Sequence, residues 1–349
     1  MLTHDIVVVG ASAGGVVALR QLAEALPADL PAAVLIVLHL SPGAPSQLAS
    51  ILNRSGRLPA VNAEHGSPLK PGCIYVAVPD HHLLVEQGRM LLVRGPKENR
   101  HRPAIDPLFR SAALAYGPRV IGIVLTGLLD DGTLGLWHVK EAGGLAVVQD
   151  PADAEHSGMP QNALDNVAVD HCESLAALGT HLPEWVRLRA GRPPKRLDRG
   201  LMQIENRIAQ MKDDIDDIHK LGVPSDFTCP ECEGSLFRMK GRHTASYRCR
   251  VGHAYGEATL AADQAAAAEA SLWAAMRALR EKSELLLQRA RRFAPGNPQH
   301  RQFIALSKTA AGHAAQIRAM IEKNQPPFEN SRLMKRPSEL ATAAKGRKA

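Results

Sequence analysis

The stretch Asp5-Ile-Val-Val-Val-Gly-Ala-Ser-Ala-Gly-Gly15 constrains this chain more than any other. Four consecutive β-branched residues, Ile6 to Val9, run into a Gly-x-Ser-x-Gly-Gly turn, and Leu19, Leu22 and Leu26 then recur at helical spacing. This reads as strand, tight turn, helix. An uninterrupted apolar strand needs cover on both faces, which is the situation of a parallel sheet between helices. In such open sheets the reactive groups collect beyond the carboxyl ends of the strands, so Ser12 is expected to face a crevice.

The same grammar repeats downstream. Residues 32–38 form a second apolar run that ends in His39-Leu-Ser-Pro42, with Pro42 placed to stop the strand or start a helix. Residues 120–126 form a third, opening into Gly127-Leu-Leu-Asp-Asp-Gly132, so His39 and Asp131 also fall at strand ends. Between them the pattern predicts helices over 46–52 and 107–116, a strand over 73–78 and a hairpin over 83–93 turning at Gln87-Gly88. A helix over 134–141 and a strand over 145–149 follow. The fold class expected is α/β, a doubly wound and mostly parallel sheet.

At 349 residues the chain exceeds one hydrophobic core, and its composition changes along its length. A catalytic-sized domain is expected over 1–190, a basic proline-containing linker and amphipathic helix over 191–225, a cysteine module over 226–256, a helical pair over 257–325 and a disordered basic tail over 326–349. Apolar residues recurring at Leu201, Ile204, Ile208, Met211, Ile215 and Ile218 predict one helix over 199–221. No run of about 18 apolar residues occurs, so membrane insertion is not expected. The first residues lead straight into a strand without a basic and apolar leader, which points to the cytoplasm. Much of the net charge of +7 sits in the tail and says little about the main site.

Ser12, His39 and Asp131 together supply what acyl transfer by serine requires: a nucleophile, a base for its proton, and an acid that fixes the base's tautomer. The Gly14-Gly15 turn at a helix start offers backbone N–H groups to an oxyanion. Two familiar patterns compete for this turn. The α/β-hydrolase elbow has the same Gly-x-Ser-x-Gly, but its triad runs Ser, Asp, His along the chain, whereas the order here is Ser, His, Asp. A dinucleotide turn would need glycine where Ser12 stands, because a side chain there obstructs the pyrophosphate.

Gly10-Ala-Ser-Ala-Gly-Gly15, His39 before Ser-Pro, Asn99-Arg-His-Arg-Pro-Ala-Ile-Asp-Pro-Leu-Phe109, Leu125-Thr-Gly-Leu-Leu-Asp-Asp-Gly132 and Gly158-Met-Pro160 closely resemble, in order and spacing, the catalytic domain of CheB-type protein-glutamate methylesterases. The resemblance covers about residues 4–185. It implies hydrolysis of glutamate methyl esters, and deamidation of glutamines, on chemotaxis receptors through a triad that falls on Ser12, His39 and Asp131. It also implies an oxyanion and substrate-binding rim at Gly14, Gly15, Leu128, Arg100 and Arg102, with the basic residues orienting a Glu-rich receptor helix; the alternative is that Arg100, His101 and Arg102 brace the loop by pairing with acids such as Asp106. The partner implied is a methylated chemoreceptor or a related signalling protein. This chain departs from the family pattern at Ala13, at Leu129 in place of a glycine, and at Asp130, which adds a second acid. The family's usual phospho-receiver is not expected here, since the catalytic strand begins at Asp5, so gating by a receiver within the chain is not expected either.

Cys229-Pro-Glu-Cys232, sixteen further residues and Cys249-Arg-Val-Gly-His253 have the paired-ligand spacing of a tetrahedral zinc site. Four protein ligands, with His243 in reserve as the fourth, make such a zinc structural. No cofactor is expected for catalysis. Similar ribbons follow the esterase domain in some family members. Two other functions compete with the esterase: a zinc-ribbon regulatory or nucleic-acid-binding protein, and a catalytically weak esterase-like scaffold. Nucleic acid is disfavoured, because only Phe227, Phe237, Tyr247 and Tyr255 are available to interleave with basic residues on the ribbon. The carboxyl-terminal helices are the expected surface for partner proteins.

Overall fold

The structure is a computed structural model that describes residues 2–39, 43, 46–194, 199–214, 216–241 and 244–324. In chain order its elements are β1 (Ile6–Ala11), α1 (Gly15–Ala25), β2 (Ala33–Leu38), α2 (Leu48–Ser55), β3 (Ala60–Asn62), β4 (Cys73–Val76), the hairpin β5 (His82–Glu86) and β6 (Arg89–Val93), α3 (Ile105–Tyr116), β7 (Val120–Val124), α4 (Thr133–Glu141), β8 (Leu145–Gln149), α5 (Gly158–Asn166), β9 (His171–Glu173) and α6 (Leu175–Arg187). There follow α7 (Arg199–Ala209), α8 (Asp217–Leu221), the strands β10 (Gly222–Thr228), β11 (Ser235–Met239), β12 (Ser246–Cys249) and β13 (Ala254–Gly256), and the long helices α9 (Glu257–Ala290) and α10 (Pro298–Asn324).

Seven strands form one sheet in the order β3-β4-β2-β1-β7-β8-β9, and every pairing in it is parallel. Strand alternation sorts the side chains of β1 between two cores. Val7, Val9 and Ala11 pack with α1, α2 and α6, while Ile6 and Val8 pack with α3, α4 and α5 on the other face. Gly10 belongs to the second face, where a Cβ would sit 2.4 Å from Ile105 Cγ2. The doubly wound architecture follows, with the hairpin β5-β6 added beside α3. Ser12 and His39 come directly after β1 and β2, and Asp131 stands in the turn between β7 and α4, so the three follow adjacent central strands.

The segment after residue 190 departs from the expected single helix over 199–221. Helix α7 stops at Ala209, with Met211 in the left-handed region at φ 56° and the Lys212 N–H bonded to the Arg207 carbonyl, a closing pattern that glycine ordinarily supplies. Met211 is 72% exposed instead of continuing the apolar stripe, and Ile215 lies outside the described residues. Helix α7 packs on α3, and β10-β11-β12-β13 make a four-stranded antiparallel sheet around Leu236, Tyr247 and Tyr255. The described residues up to Asp263 cluster as one compact unit and those from Gln264 as a second. In the second unit α9 and α10 form an antiparallel hairpin, tied by the Ser283 and Ser307 hydroxyls at 2.8 Å and by Phe293 stacked on Phe303. Among the described residues no helix is long and apolar enough to cross a membrane.

Inside the first unit, α3, α7 and the ribbon share a buried ionic cluster. The Arg110 guanidinium donates to both Glu98 oxygens at 2.9 and 3.1 Å and to Asn206 Oδ1 at 3.1 Å, and Arg248 of β12 reaches Glu98 at 3.2 Å and Glu205 at 3.4 Å. Burial alone would raise the Glu98 carboxyl, but Arg110 and Arg248 hold it down at about 2. Removing one partner leaves an uncompensated buried charge. Arg110→Met is therefore expected to destabilise the unit by about 3 kcal/mol or more, read as a shift in the urea midpoint of the full chain; an unchanged midpoint would show that the cluster contributes nothing net.

Candidate active site

Ser12 sits where β1 ends. Its N–H donates to the Thr126 carbonyl at 3.0 Å, while the Thr126 hydroxyl donates to the Ala13 carbonyl at 3.0 Å, so the turn is laced to the end of β7. Gly14 then takes φ 75°, a left-handed conformation that glycine adopts without a Cβ penalty, and α1 begins. His39, delivered by β2, bridges the other two groups: Nδ1 lies 3.0 Å from Ser12 Oγ and Nε2 lies 2.7 Å from Asp131 Oδ2. With Nε2–H directed at the carboxylate, Nδ1 is left as the acceptor for the serine proton.

Asp131 is buried and heavily bonded. Besides His39 it accepts from the N–H groups of Ile105 at 2.8 Å and Gly132 at 2.9 Å, and from the Asn99 amide at 2.9 Å. Burial pushes its carboxyl up, but His39 and these donors outweigh that and bring it to about 2, so the group stays ionised. Asn99 also donates to Asp106 at 2.8 Å. Burial and the neighbouring Asp131 raise the Asp106 carboxyl, against the pull of the Gly135 N–H. The His101 ring stacks on His39 at 3.6 Å between centroids, and burial followed by the neighbouring His39 lowers His101 to about 4. A neutral ring thus covers the imidazole.

The structure brings Ser12, His39 and Asp131 together, and it rearranges the expected rim. The Gly15 N–H donates to the Ser12 carbonyl at 2.9 Å and is not available to an oxyanion, whereas the N–H groups of Ala13, Gly14 and Leu128 have no hydrogen-bond partner among the described residues. Arg102 is held by Asp80 and by the Gly95 carbonyl, and Arg100 pairs with Asp263 at 2.8 Å. Both arginines brace loops, with acids other than Asp106, and neither is a free rim cation. Leu128 is exposed, and the next residue, Leu129, takes φ 64°, which costs a side-chain-bearing residue about 1–2 kcal/mol. Asp130 does not touch His39. It accepts the Ala258 N–H at 2.9 Å and the Thr259 hydroxyl, capping the start of α9. The sequence does not predict the bond of Asn99 to the acid, the free N–H of Ala13 or the stacking of His101 on His39; the motif that begins at Asn99 is the signal that marks the loop.

A second constellation lies in the ribbon. One ligand atom each from Cys229, Cys232, Cys249 and His253 falls within 4.8 Å of the others. Cys229 and Cys249 sulfurs lie 3.8 and 3.7 Å from His253 Nδ1, and Cys232 lies 3.6 Å from Cys249. Tetrahedral ligands about 2.3 Å from a zinc ion would be about 3.8 Å apart, so the set fits that ion as it stands. The Tyr255 hydroxyl lies 3.4 Å from Cys229 Sγ, the kind of outer contact that steadies a thiolate ligand. His243, the reserve ligand, lies outside the described residues.

Comparison with known proteins bears on the first site. The family model of the CheB methylesterase matches residues 7–182, half of the chain. The chain belongs to the CheB methylesterase family. The crystal structure of the Thermotoga maritima CheB methylesterase catalytic domain is similar with a TM-score of 0.50 at 33% identity, covering 52% of this chain and 97% of that one. A Leptospira interrogans protein provisionally named a protein-glutamate methylesterase/protein-glutamine glutaminase is 37% identical over 175 residues, 50% of this chain and 91% of the relative. A Geobacter metallireducens protein-glutamate methylesterase/protein-glutamine glutaminase is 38% identical over 194 residues, 54% of this chain and 53% of the relative, so the chain matches about half of that protein's length. In this CheB-family site, Asp131→Asn would turn an amide N–H₂ toward His39 Nε2 and favour the wrong tautomer. Turnover is expected to fall by about 10⁴-fold, while Asp130→Asn, which keeps an acceptor for α9, costs far less; steady-state kinetics of the two variants check the ranking.

Proposed function

We propose that this protein is a protein-glutamate methylesterase, and by the same chemistry a glutamine deamidase, acting on methylated chemoreceptors or related signalling proteins. The observation that carries the reading is the continuous Ser12, His39, Asp131 hydrogen-bond chain at the carboxyl ends of three adjacent strands. Ser12 Oγ attacks the ester carbonyl as its proton passes to His39 Nδ1. The imidazolium so formed is stabilised by ionised Asp131, and the oxyanion is met by the N–H groups of Ala13, Gly14 and Leu128. Collapse expels methanol with the proton returned from His39, or ammonia when the substrate is a glutamine. Water, deprotonated by the same base, then releases the glutamate from the acyl-serine. His101 shields the imidazole and, staying neutral near pH 7, adds no competing charge.

We also propose that Cys229, Cys232, Cys249 and His253 hold a structural zinc ion, supported by the fit of their spacing to a tetrahedron. With four protein ligands no position is left for a substrate, so the ion does not contact the reacting atoms. Partner proteins would meet the carboxyl-terminal helices, where Trp273, Leu285, Leu306 and Met320 are exposed.

Methanol release from methylated receptor tests the activity. Ser12→Ala is expected to lower it by about 10³-fold or more in a protein of unchanged circular dichroism, and wild-type turnover in that variant would refute the assignment. For the metal, one equivalent of zinc is expected in the purified protein, with loss of that equivalent in Cys249→Ser.

A further inference from the structure

The two constellations are not independent. Residues 97–101 run between them: Lys97 and Glu98 are bonded to the ribbon, His101 stacks on His39, and Asn99 is bonded to both sides. On the ribbon side, the peptide that follows ligand His253 clasps the strip: the Ala254 N–H donates to the Lys97 carbonyl at 3.2 Å and the Asn99 N–H donates to the Ala254 carbonyl at 2.8 Å. Lys97 pairs at 2.8 Å with Glu231, between ligands Cys229 and Cys232, and Arg248, next to ligand Cys249, binds both Glu98 and the Gly252 carbonyl. The Gly256 N–H donates to Asn99 Oδ1 at 2.8 Å, which fixes the amide so that its nitrogen faces Asp131 and Asp106. On the catalytic side, Asn99 holds the acid and His101 stacks on the base.

Asn99 and Arg100 both have positive φ, 48° and 71°. Such conformations cost about 1–2 kcal/mol each outside glycine and persist only where the surroundings impose them. At Asn99 the ribbon holds the conformation through Ala254 and Gly256, and at Arg100 the ion pair with Asp263 of α9 does. The ribbon's own core is small, built on Leu236, Phe237, Tyr247 and Tyr255 with Leu260 of α9 against them, and a module of that size gains folding free energy from a bound metal. The tie is doubled by Asp130, which caps α9 immediately after β13 and precedes the catalytic acid in the chain.

We propose that zinc bound at Cys229, Cys232, Cys249 and His253 sets the conformation of residues 97–101 and through Asn99 the position of Asp131, so that hydrolysis at Ser12 depends on an ion that never meets the substrate. The proposal rests on the metal reading above. Asn99 is a positioning residue, and loss of zinc acts on turnover rather than on substrate affinity.

The test uses the full chain, with zinc as the probe. Chelation should release one equivalent of zinc and increase amide hydrogen exchange at Asn99, Ala254 and Gly132 along with the ribbon. The same treatment should lower kcat for methanol release by at least ~10-fold at unchanged KM, as loss of an outer support does, and added zinc should restore both. Gly256→Ala breaks the tie without touching the ligands or the triad, because its Cβ would lie 2.2 Å from Asp130 Oδ2. It should retain zinc and still lose protection at Gly132 and most of kcat; Thr259→Val, a milder cut that removes only the hydroxyl donor to Asp130, should lie between it and wild type. Zinc loss that unprotects the ribbon while residues 97–101 and kcat stay unchanged overturns the linkage and leaves the metal site standing. Protein that neither carries nor takes up zinc overturns the metal site and the linkage together. The exchange measurement holds whether or not a receptor ester is hydrolysed, so failure of the proposed activity is read separately.

Discussion

One buried carboxylate has to stay ionised for this site to exist. Asp131 is buried, and burial by itself pushes its carboxyl up toward the neutral form. The N–H groups of Ile105 and Gly132, the Asn99 amide and His39 overcome that penalty by aiming donors at both oxygens. Each of those donors needs its own support. The start of α3 supplies Ile105, the turn into α4 supplies Gly132, and the loop after β6 supplies Asn99. The crevice is therefore built less by the sheet edge alone than by three segments that converge on one acid.

Two of the three departures from the family pattern, Leu129 and Asp130, acquire separate explanations from the structure. Leu129 occupies a left-handed position, where glycine is the residue of least cost, and its carbonyl is retained by the Asn162 amide at 2.8 Å. The strain is local and leaves Asp131 in contact with His39. Asp130 turns away from the triad to receive the first turn of α9. A carboxylate at a helix start satisfies otherwise orphaned N–H groups and meets the positive end of the helix dipole. The second acid thus serves the attachment of the extension rather than the bonding of His39.

That attachment changes how the chain divides. Composition suggests a boundary near residue 190, followed by a basic proline-containing linker. The described residues up to Asp263 instead cluster with the esterase fold, because Arg110, Glu98, Glu205 and Arg248 share one dehydrated network contributed by α3, the loop after β6, α7 and β12. Buried charges cannot be separated without stranding a partner, so the ribbon and α7 are integral to this unit. The helical hairpin beyond Gln264 is the part that stands as a unit of its own.

The sequence by itself determined the parallel sheet, since runs such as Ile6 to Val9 are apolar at every position and only a strand covered on both faces accommodates that. It likewise determined that Ser12, His39 and Asp131 follow strands, because each stands where an apolar run gives way to a turn, and it marked three cysteines and a histidine at the paired spacing of metal ligands. These signals are local in the chain. Which strands are neighbours, and hence that β2, β1 and β7 bring the three groups within hydrogen-bonding distance, was decided by the tertiary structure. So were the partners of Arg100 and Arg102, the end of α7 at a left-handed Met211, and the span of Asn99 between Asp131 and Gly256, which lies 157 residues further along. Hydrophobic periodicity reports which face of an element is buried; it carries no record of which distant donor a buried polar group will find.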